Sequence, residues 1–253
     1  MGSPLEFYRS LNTFGYEKEI VAARIGYINN ITSRREAIKA LKQQEMIMMV
    51  IGDKKHGGVG GIFFDIDNEV AVDRVVRVKS SEKAERHMLF GVMMPDDLIK
   101  KEIQVSYSID PEKIYPPCFV RAPLRNEKNY PDWAKKRDEM GISWVQLFPS
   151  DRIEGFSELV QEAWKEGIRI GGTSLNWTIE GNIKKWGLLA QFFKQDLEHS
   201  YWLITDAKLT GVSWSVIRLM KDSPRAVQER EGYGNMEEVC KNLGVAFLGL
   251  TVS

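Results

Sequence analysis

Gly61-Ile62-Phe63-Phe64-Asp65-Ile66-Asp67-Asn68-Glu69-Val70-Ala71-Val72-Asp73-Arg74-Val75 sets the frame for the elements around it. Its second half has a helix's pattern. Asn68 offers a capping side chain, and Ala71, Val72, Val75 and Val76 recur at three- and four-residue spacing on one face. Just upstream, Lys54-Lys55-His56-Gly57-Gly58-Val59-Gly60-Gly61 reads as a glycine-rich loop after a buried strand at residues 46–51. Further back, Ser33 and Glu36 form a capping box ahead of the stripe Ala37, Ile38, Ala40 and Leu41. Residues 1–32 are aromatic-rich and weakly periodic, so they are expected to be an N-terminal extension to a single domain at 33–253.

Downstream, residues 87–94, 103–109, 118–122 and 143–148 are expected strands, punctuated by Pro116, Pro117 and Pro123. Phe156, Leu159, Val160, Ala163 and Trp164 then make an amphipathic helix that stops at Gly167. A strand at 168–171, a helix at 181–199, strands at 201–205 and 212–219 and a helix at 236–242 complete the chain. Several strands follow one another without an intervening helix. That favours an α+β (α/β) domain with a mixed sheet over a doubly wound one.

Composition narrows the function classes. Thirty-five Lys+Arg against thirty-five Asp+Glu give a formal charge of +0 over 253 residues, which excludes a whole-molecule basic field for nucleic acid or anionic membrane. The longest apolar runs fall far short of the roughly 20 residues of a membrane helix. Residues 1–10 lack the apolar core of a signal peptide, and two cysteines make no disulfide framework, so a reducing cytoplasm is expected. The three histidines are too scattered for metal-ligand spacing, and no metal site of protein side chains is expected.

Two segments carry chemistry. The glycines at 57–61, Gly60 and Gly61 among them, let a backbone approach a ligand and offer N–H groups to an anion. An unperturbed histidine titrates near neutrality, which makes His56 beside them a candidate for proton chemistry. In Gly171-Gly172-Thr173-Ser174-Leu175-Asn176, small residues end a strand, and Ser174 and Asn176 at i and i+2 turn to one side, suited to phosphate and ribose oxygens. The run Arg74, Arg77, Lys79, Lys83, Arg86 reads either as a solvated face or as a polyphosphate-neutralising one.

Taken in order, these pieces look like the threonylcarbamoyl-adenylate synthase superfamily, the YrdC-like fold, over roughly residues 34–234. Residues 61–75 are similar, without a gap, to that family's G-L-x-x-D-A-x-N-E-x-A-V-x-R-I segment. Lys79 stands where its K-x-R-P motif begins, Thr173-Ser174-Leu175-Asn176 matches T-S-A-N with one change, Ser215 falls nearest the Thr of its S-T-I-V strand, and Arg230-Glu231-Gly232 resembles the closing R-x-G. The resemblance implies a concave, twisted mixed sheet with helices outside, holding ATP in a basic cleft. It implies an enzyme that joins bicarbonate to an amino acid, adenylates the product and releases pyrophosphate, with Mg²⁺ bound through the phosphates. On that footing Lys79 contacts polyphosphate, Ser174 and Asn176 the nucleotide phosphates, Ser215 the α-phosphate and Arg230 the acyl-adenylate.

The chain departs from the pattern in three places. The Tyr of the family's T-x-T-x-Y-G-L is Gly60, so the expected acceptor is not threonine. K-x-R-P becomes Lys79-Ser80-Ser81-Glu82, with Arg86 or Lys83 nearest to replace the missing charge, and the strand expected to carry R-x-P reads Leu147-Phe148-Pro149. At about 1.5–3 kcal/mol per charge-assisted hydrogen bond, two lost cations would weaken an ATP site by a few kcal/mol unless others replace them. Three functions follow: an acyl- or carbamoyl-adenylate enzyme with a nucleotide and a small-molecule substrate, a non-catalytic module binding RNA or a nucleotide, or a different small-molecule enzyme on the reused fold.

Overall fold

The computed structural model describes residues 23–53, 57–79, 90–175 and 183–251. His56, Lys83, Arg86 and Asn176 lie outside them, so those sequence expectations stay as they were. In chain order the elements are β1 (Ile25–Tyr27), α1 (Ile31–Lys42), β2 (Met46–Asp53), β3 (Gly57–Asp65), α2 (Glu69–Lys79), β4 (Gly91–Met94), α3 (Asp96–Glu102), β5 (Phe119–Pro123) and β6 (Lys135–Arg137). Then come β7 (Ser143–Pro149), α4 (Phe156–Lys165), β8 (Ile170–Ser174), α5 (Trp186–Gln195), β9 (Ser200–Ile204), β10 (Val216–Leu219), β11 (Arg225–Arg230), α6 (Met236–Leu243) and β12 (Ala246–Leu250). The class is α+β with mixed pairing, as expected.

The chain clusters into two compact units where one domain was expected, the first ending at Arg86 and resuming over Ile153–Val212. In the first unit the strand order is β1-β9-β2-β3-β8, with β1, β9 and β2 parallel and β3 antiparallel to both neighbours. The sheet reaches back into the expected extension, because Ile25–Tyr27 pairs with Trp202–Ile204. Helix α1 likewise starts ahead of the Ser33 capping box. Asn30 caps it, its Oδ1 accepting from Thr32 N and Ser33 N, while Ser33 Oγ accepts from Tyr27 N. Helix α4 buries the stripe the periodicity picks out (Phe156, Leu159, Val160, Ala163), and Phe156 meets Phe63 of β3 with ring centroids 5.1 Å apart.

The second unit, His87–Arg152 and Ser213 onward, orders its strands β4-β7-β5-β10-β11-β12, with β6 also on β7. Cys118 and Cys240 are free and buried, and burial pushes both thiols up, Cys240 to about 11. Their role is packing. The expected strand at 103–109 is not there: Ile103 makes only an isolated bridge to Leu124, and helix α3 precedes it. Helix α3 is anchored by Asp96, which pairs with Arg152 at 2.5 Å, while Arg152 also donates to Pro111 O.

Candidate functional site

In the first unit two motif segments 94 residues apart converge. Helix α2 delivers Lys79 from its last turn into a buried position, where the ammonium donates to Thr173 Oγ1 at 3.0 Å and to Ser174 O at 2.5 Å. A buried ammonium needs such acceptors, since desolvating it without them is costly. Thr173 and Ser174 are themselves fixed at the end of β8 by pairing with Ile62 and Gly61 of β3. The positive charge is therefore held against the end of β8, at Thr173 and Ser174.

The glycine segment is not the expected loop. Gly57–Asp65 is β3, paired on both edges and buried along nearly all its length. Its glycines admit neighbouring protein atoms. A Cβ on Gly58 would lie 1.9 Å from Ile51 O, one on Gly61 2.7 Å from the Phe63 ring, and one on Gly60 2.8 Å from Leu189 Cδ2 and 3.0 Å from Leu175 Cβ. The volume beside Gly60, where the family pattern places tyrosine, thus holds two buried leucines. In consequence Leu175, the one change in the T-S-A-N match, and Gly60 form a complementary large-for-small, small-for-large exchange.

The second unit brings Ser215 and Arg230 together. Val216 of β10 pairs with Arg230 of β11. Gly232 sits so close to Ser213 O (2.4 Å from an added Cβ) that no side chain fits, and Tyr233 N donates to that carbonyl at 2.7 Å. This contact accounts physically for the R-x-G pattern. Ser215 is fully buried, its hydroxyl accepting from Gln228 Nε2 at 3.4 Å. Arg230 donates to Trp214 O at 2.9 Å, and its guanidinium lies 5.7 Å from the Phe119 ring centroid. Burial, and secondly the Arg121 charge, lower its pKa from the usual arginine value.

Sequence reasoning missed the residues around Arg230. Leu147, where R-x-P would place arginine, is buried opposite Val120. The preceding position, Gln146, pairs with Arg121 of β5, and Arg121 with Arg218 of β10. Side chains alternate along strands, so Phe119, Arg121, Gln146, Phe148 and Arg218 share one face, and Leu147 points to the other. The signal available in sequence was one arginine inside each of two short apolar strands, Phe119-Val120-Arg121-Ala122 and Val216-Ile217-Arg218-Leu219.

The basic run at 74–86 does not form one surface among its described members. Arg74 is 3.9 Å from Asp196, Arg77 is exposed, and Lys79 turns inward. Among the described residues no three His, Cys, Asp or Glu stand together to hold a metal, and no helix is long and apolar enough to cross a membrane. A surface groove between α1 and α4, lined by Ile31, Ile38, Lys39 and Lys165 among others, contains none of the predicted site residues.

No protein-family model and no curated protein matches the sequence. Solved structures do match. P. abyssi Sua5 complexed with L-threonine superposes with TM-score 0.59 at 16% identity, over 85% of this chain and 58% of that one. E. coli YciO gives 0.57 at 15%, over 81% and 92%. HypF in its phosphate- and nucleotide-bound form gives 0.54 at 18%, over 80% and 24%. The chain therefore spans little more than half the length of Sua5 and shares its fold.

Proposed function

We propose that this chain, which has the fold of Sua5, YciO and part of HypF, is an ATP-using enzyme that forms or transfers an acyl or carbamoyl adenylate. The supporting observation is the seat of Lys79 on Thr173 and Ser174, two separated motif segments meeting in one place. In this reading the nitrogen of an amine-bearing acceptor bonds to the carbon of bicarbonate with loss of water, giving a carbamate whose carboxylate oxygen attacks the α-phosphorus of ATP while the bond to pyrophosphate breaks. Lys79 and the donors of Ser174 and Asn176 meet the growing negative charge on the phosphates, where preorganised donors lower the barrier. Mg²⁺ enters as the counter-ion of the ATP phosphates.

The acceptor in this proposal is an amino-acid-like molecule other than threonine, because Leu175 and Leu189 fill the space beside Gly60. Isothermal titration with Mg·ATP, followed by pyrophosphate release with bicarbonate and an amino acid panel, tests the reading. Binding that weakens at least tenfold in Lys79→Met is expected. No heat of binding at millimolar ATP ends the proposal.

A further inference from the structure

The geometry points to a phosphate-accepting site on the second unit's sheet, built from Arg121, Arg218 and Arg230 and occupied from within by the carboxylate of Glu229. It rests on the proposed function for the source of the phosphate, and it is a site that the second unit carries by itself.

Three strands supply the guanidiniums. Arg121 and Arg218 are register partners on β5 and β10, and Arg230 pairs with Val216, one face neighbour along. A bulge in β11 brings in the carboxylate. One step on β10, from Val216 to Ile217, spans two on β11, from Arg230 to Gln228, so Glu229 is the extra residue. A bulge of this kind re-aims a side chain, and Glu229 turns onto the arginine face. Its Oε2 accepts from Arg121 Nη1 at 2.5 Å, and its Oε1 lies 3.1 Å from Arg218 Nε.

One carboxylate does not satisfy this cluster. Arg121 Nε and Arg218 Nε are buried without a hydrogen-bond partner, the Arg218 contact with Glu229 being close but off the line a hydrogen bond needs. Gln146 Oε1 takes one further donor, Arg121 Nη2, at 2.9 Å. Asp138, whose carboxylate is held by the Trp144 indole, adds a second negative charge near Arg218. Three cations against two anions, with idle N–H groups, form a fork suited to the several oxygens of a phosphate, which arginine engages bidentately. Around them lie rings: Arg218 is 5.7 Å from the Trp144 ring centroid, and Phe119, Phe148 and Trp214 stack in series at 4.9 and 5.7 Å. The rings limit water at the arginines and strengthen their pull on an anion. A phosphate entering here displaces Glu229 from Arg121.

Isothermal titration of the full chain with sodium tripolyphosphate, pyrophosphate and ATP tests this site. Wild type is expected to bind tripolyphosphate, and Arg121→Gln/Arg218→Gln to bind it at least tenfold more weakly. Glu229→Gln is expected to bind it several-fold more tightly, a gain that misfolding cannot mimic. Tripolyphosphate binding with this pattern and no ATP binding would retain the site and discard the adenylate reading. Affinity indifferent to both the arginine pair and Glu229→Gln would overturn the site whatever ATP does.

Discussion

At the scale of single residues, the chain keeps certain family-like positions and rewrites their surroundings. The exchange of Gly60 and Leu175 is legible as two separate departures in sequence, but that Leu189 completes the filling is a tertiary fact no local pattern carries. Gly60→Ala should therefore destabilise the protein by about 1–3 kcal/mol through overpacking. Combined with Leu189→Ala, which alone costs about 2–5 kcal/mol, the loss should fall short of the sum, because the added methyl enters the vacated space. Urea denaturation of the four-protein cycle checks this, and strict additivity would show that the two positions do not share a volume. Asp96 and Arg152 are the opposite case: two charges 56 residues apart with no motif to link them, visible only once α3 is folded. Arg152→Met should cost about 3–5 kcal/mol by leaving Asp96 buried and unpaired. Asp96→Asn/Arg152→Met should recover much of that in the same assay.

At the scale of elements, amphipathic helices were the readable part, since a stripe such as Phe156, Leu159, Val160 and Ala163 states its own period. Helix ends were harder. Asn30 and Ser33 are both good caps, and the difference between them is the close approach of β1, whose Tyr27 N takes the Ser33 hydroxyl. Asn30→Ala should cost about 1 kcal/mol. Strand β3 went unread because four of its nine residues are glycines, which mark loops in isolation, and β11 because its bulge interrupts the alternation. The β6–β7 hairpin permits a test with a definite sign. Asp138 accepts from Trp144 Nε1 at 2.8 Å and from two backbone amides, and the indole contact in particular holds its pKa below the usual aspartate value. A carboxylate with a depressed folded value stabilises the protein above its unfolded pKa and loses that contribution as pH falls through the folded one. Wild type should thus exceed Asp138→Asn in urea midpoint at pH 6, with the gap closing as pH falls below about 3.8. A gap that does not change with pH would assign the contact to shape instead of charge.

At the scale of the whole chain, the class was readable because mixed strand and helix signals in irregular order exclude most alternatives. The two-unit division was not, since each unit is assembled from two separate lengths of sequence and no linker marks the seams. A net charge of +0 likewise hides how the charge is placed: Arg121, Arg218 and Arg230 gather on one face, with Glu229 set among them. Ligand-linked melting exploits this arrangement. A ligand at 100 times its Kd that binds only the folded state adds about 2.7 kcal/mol, and in a chain of this size each kcal/mol moves Tm by about 2–4 °C. Saturating Mg·ATP should therefore raise the transition of the unit that holds it by about 5–11 °C. L-Threonine at the same molar concentration should leave both units' transitions in place, because leucine side chains occupy the volume where a hydroxyl-bearing aromatic would help to recognise it. A threonine shift as large as that of ATP would mean that the amino acid is recognised elsewhere in the chain, and that the exchange at Gly60 repacks the core without changing specificity.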